Sequence, residues 1–288
     1  MENYKETSEK VHEQRQKMPG SEHKMDPKPV YIRDSYRGSG KLKDKVALIT
    51  GGDSGIGRSI AVHFAREGAQ IAFVYLEEDT DAEETKELVE KEGSKCLVFR
   101  GDIRKRDFCE EVVQKTHAHF SKLNILVNHA GEQHPTTEPQ ELDLDLMEKT
   151  FHTNIFAMYY LTRPALNYMQ EGDCIINTTS VTAYHGSPRF LDYSASNGAI
   201  VSFTRALASN LAKRKIRVNG VAPGPIWTPL IPASFRGDAV ENFGKNTPLQ
   251  RPGQPCEVAP SYVFLASEDG SYTTGQVLHP NGGMAMYT

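Results

Sequence analysis

The chain has 288 residues and carries 33 Lys and Arg against 37 Asp and Glu, a formal charge of −4. That balance argues against a dedicated nucleic-acid binder, and a hydrophobic content of 38% excludes a disordered chain while supplying the core of one large α/β unit. No stretch approaches the roughly 18 uninterrupted apolar residues of a membrane span, and the first thirty residues are charged throughout, unlike a secretory leader, so a soluble cytoplasmic protein is expected.

In chain order, residues 1–43 read as a polar, charge-mixed extension without helical or strand period, expected to be a flexible or surface-draped arm. Its Lys and Arg are interleaved with Glu and Asp, the pattern of a solvated segment and not of an anion site. Within it, MDPKPVYIRDSY is expected to pack on a neighbouring surface. From Lys45 short apolar runs alternate with longer amphipathic segments, the signature of repeated βα units and a parallel sheet. Strands are predicted at 46–50, 71–75, 96–100, 124–128, 174–179, 216–222 and 276–280. Helices are predicted near 56–67, 80–92, 105–119, 141–169, 192–212 and 256–267. Seven strands and six helices fill one domain, residues 44–288, with no internal repeat. Cys96, Cys109, Cys174 and Cys256 are widely spaced, without a CxxC pair or a Cys/His cluster at zinc spacing, so free thiols and no metal site are expected. Cys96 and Cys174 begin apolar runs and read as small buried hydrophobes.

The first strand runs into Gly51-Gly52-Asp53-Ser54-Gly55-Ile56-Gly57-Arg58 and a helix follows. Glycines there let the backbone approach a pyrophosphate, and the free N–H groups of the helix start supply partial positive charge. A P-loop is the rival reading, missed only because Arg58 replaces its Lys, but no later strand ends in a magnesium-binding Asp: NILVN ends in Asn128.

The segment TGGDSGIG resembles the TGxxxGxG motif of the short-chain dehydrogenase/reductase family. Further blocks follow in family order: Asp102, Asn128-His129-Ala130-Gly131 like NNAG, Asn154, Ser180, Tyr193 and Pro223-Gly224. The resemblance covers about residues 43–288, and the extension with APGPIWTPLIP looks like the extended, general-stress-type bacterial members. It implies a single-domain, doubly wound Rossmann fold with a seven-stranded parallel sheet and a nicotinamide cofactor at the carboxyl ends of the strands. Gly51, Ser54, Gly55 and Ile56 would then line the pyrophosphate, Asp102 and Ile103 the adenine, and Asn128, Ala130 and Gly131 the ribose. Taken alone, Asp102 also reads as a helix cap and Gly131 as a turn residue. At the end of strand two, Tyr75 stands where an NAD-selecting Asp is usual, followed by Leu76-Glu77-Glu78. Two carboxylates there would repel a 2′-phosphate, which favours NAD over NADP.

The same resemblance makes Ser180 the holder of the substrate oxygen, Tyr193 the acid/base and Asn154 the residue that orders a water in a proton relay, for hydride exchange with an alcohol or carbonyl substrate. The Lys usual one helical turn beyond the Tyr is Asn197, which can still reach the nicotinamide ribose but carries no charge. At about 5 Å and an effective dielectric near 20, the lost interaction is on the order of 3 kcal/mol, roughly two pKa units. Activity is therefore expected to rise toward alkaline pH, with a loss of up to about a hundredfold at pH 7. His129, His134 and His185 are the histidines that might replace the charge. Residues of about 225–256 read as a substrate lid, in which the resemblance sets Pro223 and Ile226 at the cofactor, with the Ile226 backbone facing its carboxamide, and Thr228 at a phosphate. Trp227, Leu230, Ile231 and Phe235 suggest an apolar pocket. The small residues Ser194 to Ala199 point to close helix packing, in the family a homo-oligomer contact of a dimer or tetramer. Two functions stay open: an NAD-dependent oxidoreductase, or a nucleotide-binding protein of the same fold disabled by Asn197.

Overall fold

The computed structural model describes residues 4–286. Seven parallel strands form one sheet: β1 Val46–Thr50, β2 Gln70–Tyr75, β3 Cys96–Arg100, β4 Ile125–Asn128, β5 Cys174–Thr178, β6 Arg217–Val221 and β7 Val277–Leu278. Their order is β3-β2-β1-β4-β5-β6-β7. A parallel sheet covered on both faces needs continuous apolar strands, because alternate side chains enter opposite layers. Ala47 and Ile49 accordingly join Ile71, Phe73, Ile125 and Val127 in one core. Leu48 joins Ala72, Val74, Leu126 and Ile175 in the other.

The helices are α1 Tyr4–Glu9, α2 Gly55–Arg66, α3 Asp79–Lys91, α4 Arg106–Phe120, α5 Leu144–Phe151, α6 Ala157–Ala165, α7 Thr182–His185, α8 Leu191–Leu211, α9 Leu230–Ser234, α10 Asp238–Glu241 and α11 Pro255–Ala266. The helices α2 and α11 cover the first core, where Ile60, Phe64, Val258 and Tyr262 are buried; α4, α6 and α8 cover the second through Val112, Leu161 and Ala208. The chain moves outward from β1 to β3 and then returns to β4 on the other side of β1. That reversal opens a crevice beyond the carboxyl ends of β1 and β4.

Three expectations need correction. The helix expected over 141–169 is interrupted by a π-helical turn, His152–Phe156, between α5 and α6. The segment 225–256 is not wholly irregular, since it holds α9 and α10. The extension is not a loose or merely draped arm. Ser21 and Glu22 are buried; Ser59 Oγ donates to Tyr31 O, Tyr36 Oη to Glu67 at 2.6 Å, and Cys256 N to Val30 O at 3.0 Å. The amide of Gln254, just before α11, accepts from Val30 N and donates to Ser8 Oγ. Residues 27–36 thus run along α2 and the start of α11, as the packing expected for MDPKPVYIRDSY.

The cysteines are unpaired, with Cys109, Cys174 and Cys256 buried and Cys96 partly so. Burial pushes the thiols of Cys96, Cys109 and Cys256 up to about 12 and that of Cys174 to about 11, which keeps them protonated and poorly nucleophilic. Among the described residues no helix is long and apolar enough to cross a membrane.

Candidate active site

The glycine turn is built by close backbone approach. The N–H groups of Gly51 and Gly52 donate to Val74 O at 2.8 and 3.2 Å, and a Cβ at Gly57 would lie 1.8 Å from Gly51 O, so a side chain there would force the start of α2 off the loop. Thr50 Oγ1 accepts from His129 N and Ala130 N at 2.9 and 3.0 Å, tying the turn after β4 to the end of β1. Arg58 settles the P-loop rival. Its side chain is 1% exposed and points into the protein, donating to Glu22, Glu84, Thr85 and the carbonyls of Asp53 and Asp81. It is a structural cation and does not face a phosphate.

Beyond this turn lies a cavity of about 980 Å³, ample for a dinucleotide and a small substrate. Gly51, Ser54, Gly55, Ile56, Tyr75, Asp102 and Ile103 border one end, and Ala130 and Gly131 its floor. Ser180, Tyr193, Pro223, Ile226 and Thr228 border the other end and the lid side. A Cβ on Gly55 would stand 3.1 Å from Thr228 Cβ, so the segment after β6 lies directly over the glycine turn. Backbone at the start of α2 and glycines at the contact suit a bound pyrophosphate, although the Gly55 N–H is already given to the Glu22 carboxylate. Beside Ile103, Asp102 is gripped by Arg104 through both carboxylate oxygens. Burial raises its pKa, but the guanidinium and the Arg104 N–H more than offset that and hold it below the ordinary value.

Three of the expected residues do not border the cavity. Asn128 is 1% exposed and donates to Asn177 Oδ1 at 2.8 Å, one layer beneath. Asn154 sits in the π turn with its side chain engaged, accepting from Glu132 N and donating to Glu132 O and Ser196 Oγ. Asn197 is 3% exposed and donates to the Tyr193 carbonyl at 2.8 Å. Asn154 and Asn197 thereby brace the loop after β4 and the first turns of α8.

Ser180 and Tyr193 are brought together. Burial raises the Tyr193 phenol, and the only opposing influences are hydrogen bonds from Ser180 and Asn197. Among the described residues no cation acts on it. His129 does not replace the missing charge, because burial lowers it to about 4 and leaves it neutral, with Nδ1 at 3.0 Å from Thr178 Oγ1. His134 is directed to Glu132 at 3.3 Å. His185 borders the cavity, with Nδ1 bonded to Gly186 O.

Several lining groups leave no signal in the sequence. Glu132 and Lys149 face the cavity as an ion pair at 3.0 Å. Burial raises Glu132, but His134, Thr153 and Lys149 overcome it and bring the carboxyl down to about 2. Met18, Pro19 and Gly20 of the extension also line the cavity. In the lid, Leu230, Ile231 and Phe235 face inward as expected. Trp227 corrects that list: it is fully buried, turned toward the extension, and donates Nε1–H to Pro27 O at 2.8 Å. One further cluster, His23, Glu78 and Asp81, brings ligand-type atoms within 4.8 Å of one another. Its oxygens already accept from Ser21 Oγ and from the N–H groups of Glu22 and His23.

The family model described as Enoyl-(Acyl carrier protein) reductase matches residues 51–285. General stress protein 39 of Bacillus subtilis (strain 168) is 54% identical over 267 residues, covering 93% of this chain and 93% of that protein. A protein of Arabidopsis thaliana named NADPH-dependent aldehyde reductase 1, chloroplastic, is 52% identical over 272 residues, 92% of this chain and 94% of its own. Among solved structures, a short chain dehydrogenase from Burkholderia cenocepacia J2315 in complex with NADP aligns with a TM-score of 0.80 at 30% identity, covering 84% of this chain and 98% of that one. A 3-ketoacyl-(acyl-carrier-protein) reductase from Brucella melitensis complexed with NADH aligns with a TM-score of 0.77 at 31% identity and the same coverage. With its seven-stranded parallel sheet, its glycine turn and its Ser180–Tyr193 pair at one crevice, the chain belongs to the short-chain dehydrogenase/reductase family of oxidoreductases.

Proposed function

We propose that this chain interconverts an alcohol and an aldehyde or ketone with NAD as the preferred cofactor, and that it does so slowly at neutral pH because Asn197 stands where a lysine would lower the pKa of Tyr193. The nicotinamide supplies or accepts the hydride. The chain's own part is to hold the substrate oxygen at Ser180, to exchange one proton at Tyr193 Oη, and to exclude water beneath the lid. The observation that carries this reading is a half-buried phenol at the cavity wall, beside Ser180 and one helical turn from Asn197, with no cation acting on it among the described residues. A neutral tyrosine is the acid for reduction and a tyrosinate the base for oxidation. The overall equilibrium constant ties the kcat/KM values of the two directions together, so both slow by the same factor.

Glu77 and Glu78 border the cavity beside Tyr75, where they oppose a 2′-phosphate. That supports NAD, while the Arabidopsis relative's name and the Burkholderia complex speak for NADP. The Arabidopsis name also supports a small aldehyde as substrate. A cytoplasmic homo-oligomer fits α8, where a Cβ on Gly198 would meet nothing within 4 Å, and the neighbouring exposed Phe156 and Tyr159. The absence of a charge at Tyr193 also favours the second reading, a nucleotide-binding protein with little turnover. The deciding experiment measures binding of NADH and NADPH, then consumption of each with a panel of aldehydes and ketones. Tighter NADH binding with measurable turnover supports the proposal. Equal or tighter NADPH binding overturns the NAD preference, and binding without turnover at any pH leaves the second reading standing.

A further inference from the structure

The extension lies outside the matched family region, which begins at residue 51, yet it enters the cavity. Two independent sets of contacts hold it there. On the side of the glycine turn, Glu22 is 1% exposed, accepts from Gly55 N at 2.5 Å and pairs with Arg58 at 2.7 Å. The N–H groups of Glu22 and His23 donate to the Asp81 carboxylate at 2.6 and 2.9 Å, and Ser21 Oγ donates to Glu78 at the cavity rim. On the lid side, Gln16 N donates to Pro232 O at 2.9 Å and Trp227 Nε1 to Pro27 O. Between these anchors Gly20, with φ +91°, lies so close to the lid that a Cβ would stand 2.5 Å from Pro229 O. Pro229 follows Thr228, which itself touches Gly55.

We propose that Met18, Pro19 and Gly20 form a fixed wall of the dinucleotide pocket, in which Glu22 positions the glycine turn and Gly20 sets the height of the lid above it. The inference rests on the nicotinamide-binding reading above. Affinity for the cofactor then depends on residues that need not touch it: Glu22 holds the Gly55 N–H, and with it the start of α2, in one orientation before the ligand arrives. Lys24 lies exposed on the same short turn and takes no part.

The chain has one tryptophan, Trp227, at the junction of wall and lid, so its fluorescence reports both the seating of the arm and energy transfer to bound NADH. NADH is titrated into the full-length protein and into Gly20→Ala, Glu22→Gln and Lys24→Ala, with thermal unfolding as a check on folding. The expected result is a Kd for NADH raised about tenfold in Gly20→Ala and Glu22→Gln, and unchanged within about twofold in Lys24→Ala. In folded Gly20→Ala, KM for the carbonyl substrate also rises while kcat changes little, a split that general loss of stability would not produce. Should Glu22→Gln fail to fold, Gly20→Ala decides, since its added methyl meets Pro229 and its positive φ strains the same turn, both at the wall itself. NADH affinities within about twofold of the parent in the folded variants overturn the proposal. A parent that binds neither NADH nor NADPH overturns the nicotinamide reading itself, and this inference with it.

Discussion

The two ends of the cavity treat charge in opposite ways. Behind the glycine turn a guanidinium, Arg58, is completely enclosed and answered by Glu22, Glu84 and the Asp81 carboxylate. At the Ser180 side the half-buried phenol of Tyr193 has two neutral hydrogen-bonding neighbours and, among the described residues, no charge acting on it. A buried cation with its partners in place is a geometric clamp, costly to break and of limited net benefit to stability. A cation beside the tyrosine would instead act on its proton affinity. The contrast teaches that one end of this cavity uses charge to fix a loop, whereas the other lacks the charge that its proton transfer would use.

The contrast can be tested from both sides. The largest effect is expected at the uncharged end: Tyr193→Phe should lower kcat by about a thousandfold, within the usual range for losing a positioned acid/base, and leave NADH binding within about twofold. Equal loss of binding would instead mark the ring as part of the cofactor's support. At the charged end, Arg58→Met strands Glu22 and Asp81 and should cost about 3–5 kcal/mol in denaturant unfolding, with activity per folded molecule less affected. A smaller effect is expected with acid. His63, fully buried on α2 with Nδ1 at 2.7 Å from Ser59 O and its ring against Tyr36, is lowered from 6.5 to about 4 by burial. The unfolded chain therefore takes up its proton first. This stabilisation is present above about pH 6.5 and is lost as the pH falls from there toward 4, by up to about 3 kcal/mol. A His63→Gln variant should show a flatter fall of Tm over that range, and an unchanged slope would assign the acid sensitivity elsewhere.

What was legible in the sequence follows from which forces leave a local pattern. VALIT and its counterparts stand out because a doubly covered strand must be apolar at every position, and β1 is buried throughout. The glycine turn stands out because Gly57 has no substitute beside Gly51 O. The departure at Asn197 was readable as well, since one helical turn fixes its place relative to Tyr193. The role of the extension was not. Its burial depends on single long-range pairs, Glu22 with Arg58 and Gln16 with Pro232, and such pairs impose no period on the residues between them. For the same reason the resemblance sets Asn128 at the ribose and Asn154 at a relay water, while their side chains lie a layer behind, on Asn177 and on the backbone of Glu132. The motif identifies the positions, but only packing decides which side chain faces the cavity. The π turn at Asn154 leaves no mark in the sequence, because one added residue barely changes the apolar spacing of a helix.

Whether Tyr193 works without a charged partner is read from the pH dependence of alcohol oxidation. The profile of kcat/KM with saturating NAD is measured from about pH 6 to 11 for the parent and for Asn197→Lys. The account predicts a parent limb that is still rising near pH 10, and a limb displaced about two units toward acid in Asn197→Lys, with up to about a hundredfold more activity at pH 7. A parent profile already level at neutral pH and unmoved by Asn197→Lys would contradict it, because some other group would then be lowering the pKa of Tyr193.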